Sequence, residues 1–151
     1  MIQDILAFSM LVVAALRDMK DRTIPTWVYG TGFVAGFGLA LATAVFTNSP
    51  VILVSWLGGT LLMTLVALVL HKFKAWMGGD AKLLIALGSI LGFSASVDYL
   101  FVMSLVGGLY ALACWLFAKF KYNQSWGVVA KEHPMPFAPA MALAEVGRWY
   151  V

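Results

Sequence analysis

Two carboxylates lie beside the apolar segments of this chain, where an ionisable side chain is unusual. Asp80 follows directly after Gly78 and Gly79, between two apolar segments, and Asp18 lies at the end of the first apolar segment. An ionisable residue in or beside a membrane segment marks a functional site by default. Glycine lets a backbone approach a ligand closely or adopt a positive φ. Taken alone, Gly-Gly-Asp is a weak signal and is more typical of a polar loop between two helices.

Two carboxylates at one depth could carry out acid–base hydrolysis. Held close together, they cannot both ionise easily, and one proton is shared between them. The charged acid activates a water, and the protonated acid polarises the scissile carbonyl. Asp18 and Asp80 are 62 positions apart, so only a folded bundle can bring them together. The charged form of Asp80 would be favoured by a helix dipole, and the pair has to be treated as one coupled unit.

The composition requires lipid as the main solvent. The chain has 151 residues, of which 62% are hydrophobic and 11% are charged, and this predicts a single membrane-embedded domain over residues 1–151. The net charge of +3 comes from short loops, which indicates membrane topology and not a nucleic-acid partner.

Apolar segments recur along the chain at membrane length. The predicted fold is all-α: a polytopic membrane protein with a bundle of about six transmembrane helices. Ile24-Pro25 biases the chain out of helix, and Ser94-Ala95-Ser96 is interpreted as a turn. The predicted helices cover residues 2–17, 27–46, 51–70, 80–93, 97–117 and 137–151.

The basic residues are distributed unequally between the two sides of this six-helix path. Nine of the ten follow helices one, three and five, and only Arg148 lies on the other side. The positive-inside rule then puts the three basic loops in the cytoplasm and both termini outside. Asp18 and Asp80 therefore share the cytoplasmic edge of the membrane. The nine residues are Arg17, Lys20, Arg22, Lys72, Lys74, Lys82, Lys119, Lys121 and Lys131.

Three motifs in one order resemble the type IV prepilin peptidases, which are membrane aspartic proteases with a Gly-x-Gly-Asp motif. Asp18 is followed seven residues later by Pro25 in a basic-Ile-Pro turn. The second motif is Gly78-Gly79-Asp80-Ala81-Lys82-Leu83, and the third is the Pro-Phe-x-Pro entry to the last helix, within residues 133–140. The resemblance covers nearly the whole chain.

The resemblance implies an aspartic endopeptidase of the cytoplasmic (inner) membrane. Its catalytic residues would be Asp18 and Asp80. It would remove short basic leader peptides from pilin-like precursor proteins at the cytoplasmic face, with the precursor's apolar helix in the bilayer. The residues implied to bind substrate or support the motifs are Gly78, Gly79, Lys82 and Pro25.

The chain departs from the family pattern at two positions and in one region. Met77 stands where the first motif glycine is expected, and Thr26 stands where many members have Asn. Longer members also N-methylate the new terminus and carry an extra cytoplasmic region, often with paired cysteines. The chain begins directly at helix one, so it is expected to be the short, peptidase-only form.

The remaining polar residues are predicted to have structural roles. Asp21 is interpreted as a solvated turn acid, and Glu145 and Arg148, three positions apart, as a pair near an outer helix end. The sequence contains no histidine–cysteine–acid cluster with ligand spacing and no phosphate-binding glycine loop, so no metal and no cofactor are expected.

Two alternative functions remain open from the sequence. A small transporter or channel subunit could use Asp18 and Asp80 to bind a cation or proton. It would leave the three motifs unexplained. An inactive scaffold of a pilus assembly, with Met77 marking degeneration, is the other alternative.

Overall fold

The computed structural model describes residues 1–21, 23–72, 78–122 and 137–150, with the side chains of residues 118, 121 and 122 left aside. The regular structure in these ranges is helical, without strands, which confirms the all-α prediction. The helices are α1 (Ile2–Asp21), α2 (Thr26–Thr47), α3 (Val51–Lys72), α4 (Gly78–Tyr122) and α5 (Ala138–Arg148).

Three helical segments are long and apolar enough to cross a membrane: Thr26–Thr47, Val51–Lys72 and Gly78–Phe117. Large apolar side chains such as Val34, Leu65 and Leu109 are more than half exposed on them. Exposed apolar surface of this extent is stable against lipid and not against water. The chain is therefore a membrane protein, as predicted.

The connection between α2 and α3 is a tight turn at the position that the sequence predicted. Asn48 adopts the left-handed conformation (φ 51°, ψ 37°), and backbone amides close the end of α2 on the carbonyls of Ala44 and Val45. Asparagine tolerates this conformation better than most residues. Pro50 then precedes α3, where a missing N–H costs little.

The helix count differs from the prediction in α4. Five helices are found in the described ranges instead of about six, because residues 94–96 are helical and do not form the predicted turn. The interruption is at Gly92, where φ is 73° and ψ is −174°. Only glycine adopts this conformation readily.

Contacts with neighbouring helices show that α4 reverses its course at Gly92. Its first part runs parallel to α2, since Lys82 meets Tyr29 and Ser89 meets Phe33. Its second part runs antiparallel to α5, since Gly107 lies against Phe137 and Val102 lies against Gly147.

Helix α5 pairs with α1 at both ends, through Ala138 with Asp18 and Arg148 with Asp4. The two helices are therefore antiparallel. Helix α1 is also antiparallel to α2, so the first part of α4, which is parallel to α2, is antiparallel to α1. The second part of α4 is parallel to α1, and it therefore returns to the end of the bundle at which α4 begins.

Small residues bring α2, α3 and the first part of α4 into close contact. A Cβ atom on Gly59 would clash with the Gly88 and Gly92 backbones, and one on Gly36 would lie 2.6 Å from Ser89. Close backbone approach of this kind drives helix association in lipid.

The pair predicted between Glu145 and Arg148 exists in the last turn of α5. Glu145 is fully buried, and Arg148 donates to it at 2.6 Å and to Asp4 of α1 at 2.5 Å. Trp149 Nε1 adds a donor to the same carboxylate at 3.4 Å. This cluster ties the start of α1 to the end of α5.

Replacement of Arg148 by alanine should destabilise the protein strongly. The change leaves the Glu145 carboxylate buried without its guanidinium, which typically costs about 3–5 kcal/mol. The thermal unfolding midpoint in detergent should fall accordingly. The double variant Arg148→Met/Glu145→Gln removes both charges and should unfold at a higher temperature than the single variant.

The matched control is Arg17→Ala. Arg17 forms a half-exposed pair with Asp21 at 3.6 Å, and such pairs contribute less than about 1 kcal/mol. Equal losses in Arg17→Ala and Arg148→Ala would contradict the role of the buried cluster.

Candidate active site

Asp18 continues the buried face of α1. The residues of α1 that turn inward are Ala7, Met10, Leu11, Ala14, Ala15 and Asp18. They recur at intervals of three and four, which is one face of a helix. The Asp18 side chain therefore enters the bundle at the same angle as the apolar residues before it, and only 8% of it is exposed.

The Asp18 carboxylate caps another helix. Its Oδ2 accepts a hydrogen bond from the Ala138 amide at 3.3 Å, at the first residue of α5. Phe137, at the N-cap position, makes no side-chain capping bond, and Pro139 has no amide hydrogen to donate. The first amides of a helix need such acceptors. An amide donor at the positive end of a helix also favours the charged carboxylate.

Asp21 has a different environment from Asp18, although it lies only three positions later. Its side chain is 44% exposed and pairs with Arg17 within the same helix. This exposed pair fits the prediction of a solvated acid. The contrast indicates that burial and helix capping, and not proximity to the membrane edge alone, distinguish Asp18.

Asp80 lies in the first turn of α4, which begins at Gly78. It is also 8% exposed. A carboxylate at this position interacts favourably with the positive end of its own helix. Both acids therefore lie at helix N-termini: Asp80 on its own helix, and Asp18 through the amide of α5.

The motif residues around Asp80 lie beside the connection between α1 and α2. Pro25 is extended (φ −61°, ψ 142°) and stands at the N-cap of α2, which confirms that Ile24-Pro25 ends helical structure there. A Cβ on Gly79 would be in ordinary contact with Ile24 at 3.6 Å. A Cβ on Gly78 would meet nothing within 4 Å among the described residues. Met77 lies outside the described residues.

Lys82 contacts Tyr29 of α2. Its Nζ lies 3.4 Å from the Tyr29 hydroxyl and 5.3 Å from the centre of that ring. The two residues line an apolar cavity of about 350 Å³ between α2 and α4, together with Phe33 and Ile85.

Sequence reasoning missed one residue that borders Asp18. Tyr110 of α4 is within electrostatic range of Asp18. Its ring packs edge-on against Phe137, with the ring centres 6.5 Å apart. These contacts join residues distant in sequence, and no local pattern signals them.

The two acids lie at one end of the bundle. Asp18 is near the end of α1, Asp80 is at the start of α4, and the Ile24–Gly79 contact joins these regions. Two such carboxylates can share a proton, activate a water and polarise a carbonyl. Within the described ranges no group of three metal-ligating side chains occurs. His133 and residues 134–136 lie outside those ranges.

The sequence profile of the type IV leader peptidase family matches residues 5–112. This chain belongs to that family. The resemblance to this family is thereby confirmed, and with it the assignment to a family of peptidases. The matched range contains both acids and all four supporting motif residues, and it ends before α5.

A curated relative gives the same family. The chain is 30% identical over 145 residues to the prepilin leader peptidase/N-methyltransferase of Bacillus subtilis (strain 168). The alignment covers 91% of this chain and 51% of the relative, so the chain spans about half the length of that protein. No solved structure matches the chain. Membership of a peptidase family favours hydrolysis over the transporter alternative.

Two substitutions at Asp18 should separate its capping role from its charge. Asp18→Asn keeps an oxygen acceptor for the Ala138 amide, whereas Asp18→Ala removes it. Loss of a cap typically costs about 0.5–2 kcal/mol, so the alanine variant should unfold at a lower temperature than the asparagine variant. Asp21→Ala and Asp21→Asn, at the exposed acid, should not differ from each other. An equal midpoint for both Asp18 variants would exclude the cap.

Proposed function

We propose that this protein is a membrane aspartic endopeptidase that removes leader peptides from type IV pilin-like precursors at the cytoplasmic face of the inner membrane. The observation that carries the proposal is the pair of acids at one end of the bundle. Both are buried, and both stand at helix N-termini. Family membership supports the reaction class.

The proposed reaction uses Asp18 and Asp80 as one unit. The ionised carboxylate takes a proton from a water as that water attacks the scissile carbonyl carbon, and the protonated acid donates to the carbonyl oxygen. The tetrahedral intermediate then collapses. The peptide C–N bond breaks, and the amine leaves with the proton that the first carboxylate had taken. As the C=O bond of the product re-forms, a hydroxyl of the intermediate returns a proton to the second acid. The two acids end in the shared-proton state from which they began.

The precursor's apolar helix needs a place beside the acids within the bilayer. The cavity between α2 and α4 has a mostly apolar lining, and it includes Lys82, two positions after Asp80. We propose that the precursor helix lies along this cavity, so that its leader crosses the bundle end at Asp80. Lys82 and Tyr29 would stand where the leader leaves the membrane.

The orientation in the membrane follows from the distribution of charge. The described basic side chains near Asp18 and Asp80 include Lys20, Lys72 and Lys82, at the ends of helices that meet at that end of the bundle. Arg148 lies at the opposite end. The positive-inside rule therefore supports a cytoplasmic active site.

Reporter fusions can test this orientation. A fusion after residue 74 should report the cytoplasm, and a fusion after residue 48, in the turn between α2 and α3, should report the outside. Full-length chains with a single reporter loop at each position provide the control against truncation. A cytoplasmic signal at residue 48 would place the basic ends of α1 and α3 outside and would refute the proposed orientation.

Substitution of either acid should abolish cleavage. In co-expression with a pilin-like precursor, Asp18→Asn and Asp80→Asn should each leave the leader attached, as measured by a gel shift. The amide keeps size and polarity but cannot cycle a proton. The double variant should be scarcely worse than either single variant if the two acids act as one unit.

Asp21→Asn is the matched control, since it makes the same chemical change on the same helix at an exposed position. It should keep most of the activity. Substantial cleavage by either single variant would remove that acid from the mechanism. Loss in Asp21→Asn with retention in Asp18→Asn would identify Asp21 as the working acid.

A further inference from the structure

The start of α5 is fixed by a contact with the second part of α4. Phe137 immediately precedes Ala138, whose amide binds Asp18. The tip of the Phe137 ring lies against Gly107, where an added Cβ would be 3.0 Å from Cζ. Tyr110, one turn along the same face of α4, packs edge-on against the same ring.

A side chain at position 107 would press against the Phe137 ring. A Cβ at 3.0 Å is closer than side chains normally come, so the ring would have to shift by a few tenths of an ångström. The neighbouring Gly108 differs, because a Cβ there would meet nothing within 4 Å among the described residues. Gly107 is buried and Gly108 is exposed.

A shift of the Phe137 ring moves the donor that binds Asp18. Phe137 is already part of the helix end, because its carbonyl accepts the Met141 amide at 3.2 Å. Ala138 is fully buried, so water does not replace the Asp18 acceptor there. The position of the ring, the direction of the Ala138 amide and the place of the Asp18 carboxylate are therefore linked.

We infer that Gly107 and Phe137 are positioning residues for Asp18, acting through the first amide of α5. The inference rests on the proposed function, since it assigns these residues to the placement of a catalytic acid. Neither residue touches the reacting atoms. Their contact sets where the carboxylate sits relative to Asp80, which governs the rate of the chemical step more than the binding of the precursor.

The paired variants Gly107→Ala and Gly108→Ala test the inference with one chemical change at adjacent positions. Both gain the same helix propensity, so this effect cancels. Gly107→Ala should lower kcat for leader removal by about tenfold with KM unchanged, since small misplacements of reacting groups cost this much. Gly108→Ala should match the unsubstituted protein. Equal kcat values in the two variants would overturn the inference.

A second-site variant distinguishes positioning from general damage to the fold. Phe137→Leu lacks the ring tip, and an alanine at position 107 fills part of the space that it leaves. The double variant Gly107→Ala/Phe137→Leu should therefore have a higher kcat than the product of the two single effects predicts. Strict multiplication of the two effects would show that the residues act independently, and it would refute the contact as the cause.

Amide hydrogen exchange gives a readout that needs no catalysis. In detergent, the first turn of α5 should exchange faster in Gly107→Ala and in Asp18→Ala, but not in Gly108→Ala. If exchange responds while the unsubstituted protein cleaves no precursor, the proposed function fails and the positioning contact stands. If the unsubstituted protein cleaves but Gly107→Ala changes neither exchange nor kcat, the positioning contact fails and the proposed function stands.

Discussion

A helix that starts inside a membrane protein exposes amides that water cannot satisfy, and in this fold one of those amides is bound by Asp18. The start of α5 has no capping side chain of its own, and Pro139 has no amide hydrogen to donate. The hydrogen bond from Ala138 therefore does two things. It completes α5, and it holds a carboxylate in a buried place where an unpartnered charge would be costly. The antiparallel pairing of α1 with α5 depends on this contact at one end and on the Arg148 cluster at the other.

Much of this arrangement is predictable because membrane segments are constrained by length and charge. The limits of α2 and α3 follow from apolar runs bounded by Pro25, by Pro50 and by basic residues. Placement of Asp18 and Asp80 at one end follows from counting helices between them. Membership of the type IV leader peptidase family follows from motifs within the matched range. The assignment of the two acids as a catalytic pair stays a prediction.

The features that the sequence does not predict depend on contacts between distant residues or on a single backbone angle. Gly92 has the spacing of a packing glycine, whereas its φ of 73° makes it the point where α4 turns back. The serines at positions 94 and 96 suggest a turn, but the helix has already restarted there. Glu145 is predicted at an outer helix end, yet it is fully buried because Arg148 and Trp149 enclose it. Burial of this kind is set by how α5 docks on α1.

The early reversal at Gly92 bears on how the protein fits the surrounding lipid. The 14 residues from Gly78 to Leu91 span about 21 Å as a helix, whereas α2, with 22 residues, spans about 33 Å. A bilayer's hydrocarbon layer is about 30 Å thick. The first part of α4 is thus too short to span the hydrocarbon layer, but most of its residues are buried between neighbouring helices. Lipid therefore meets mainly α2 and α3, whose 22 residues each match its thickness, and the short segment needs no thinning of the bilayer around it.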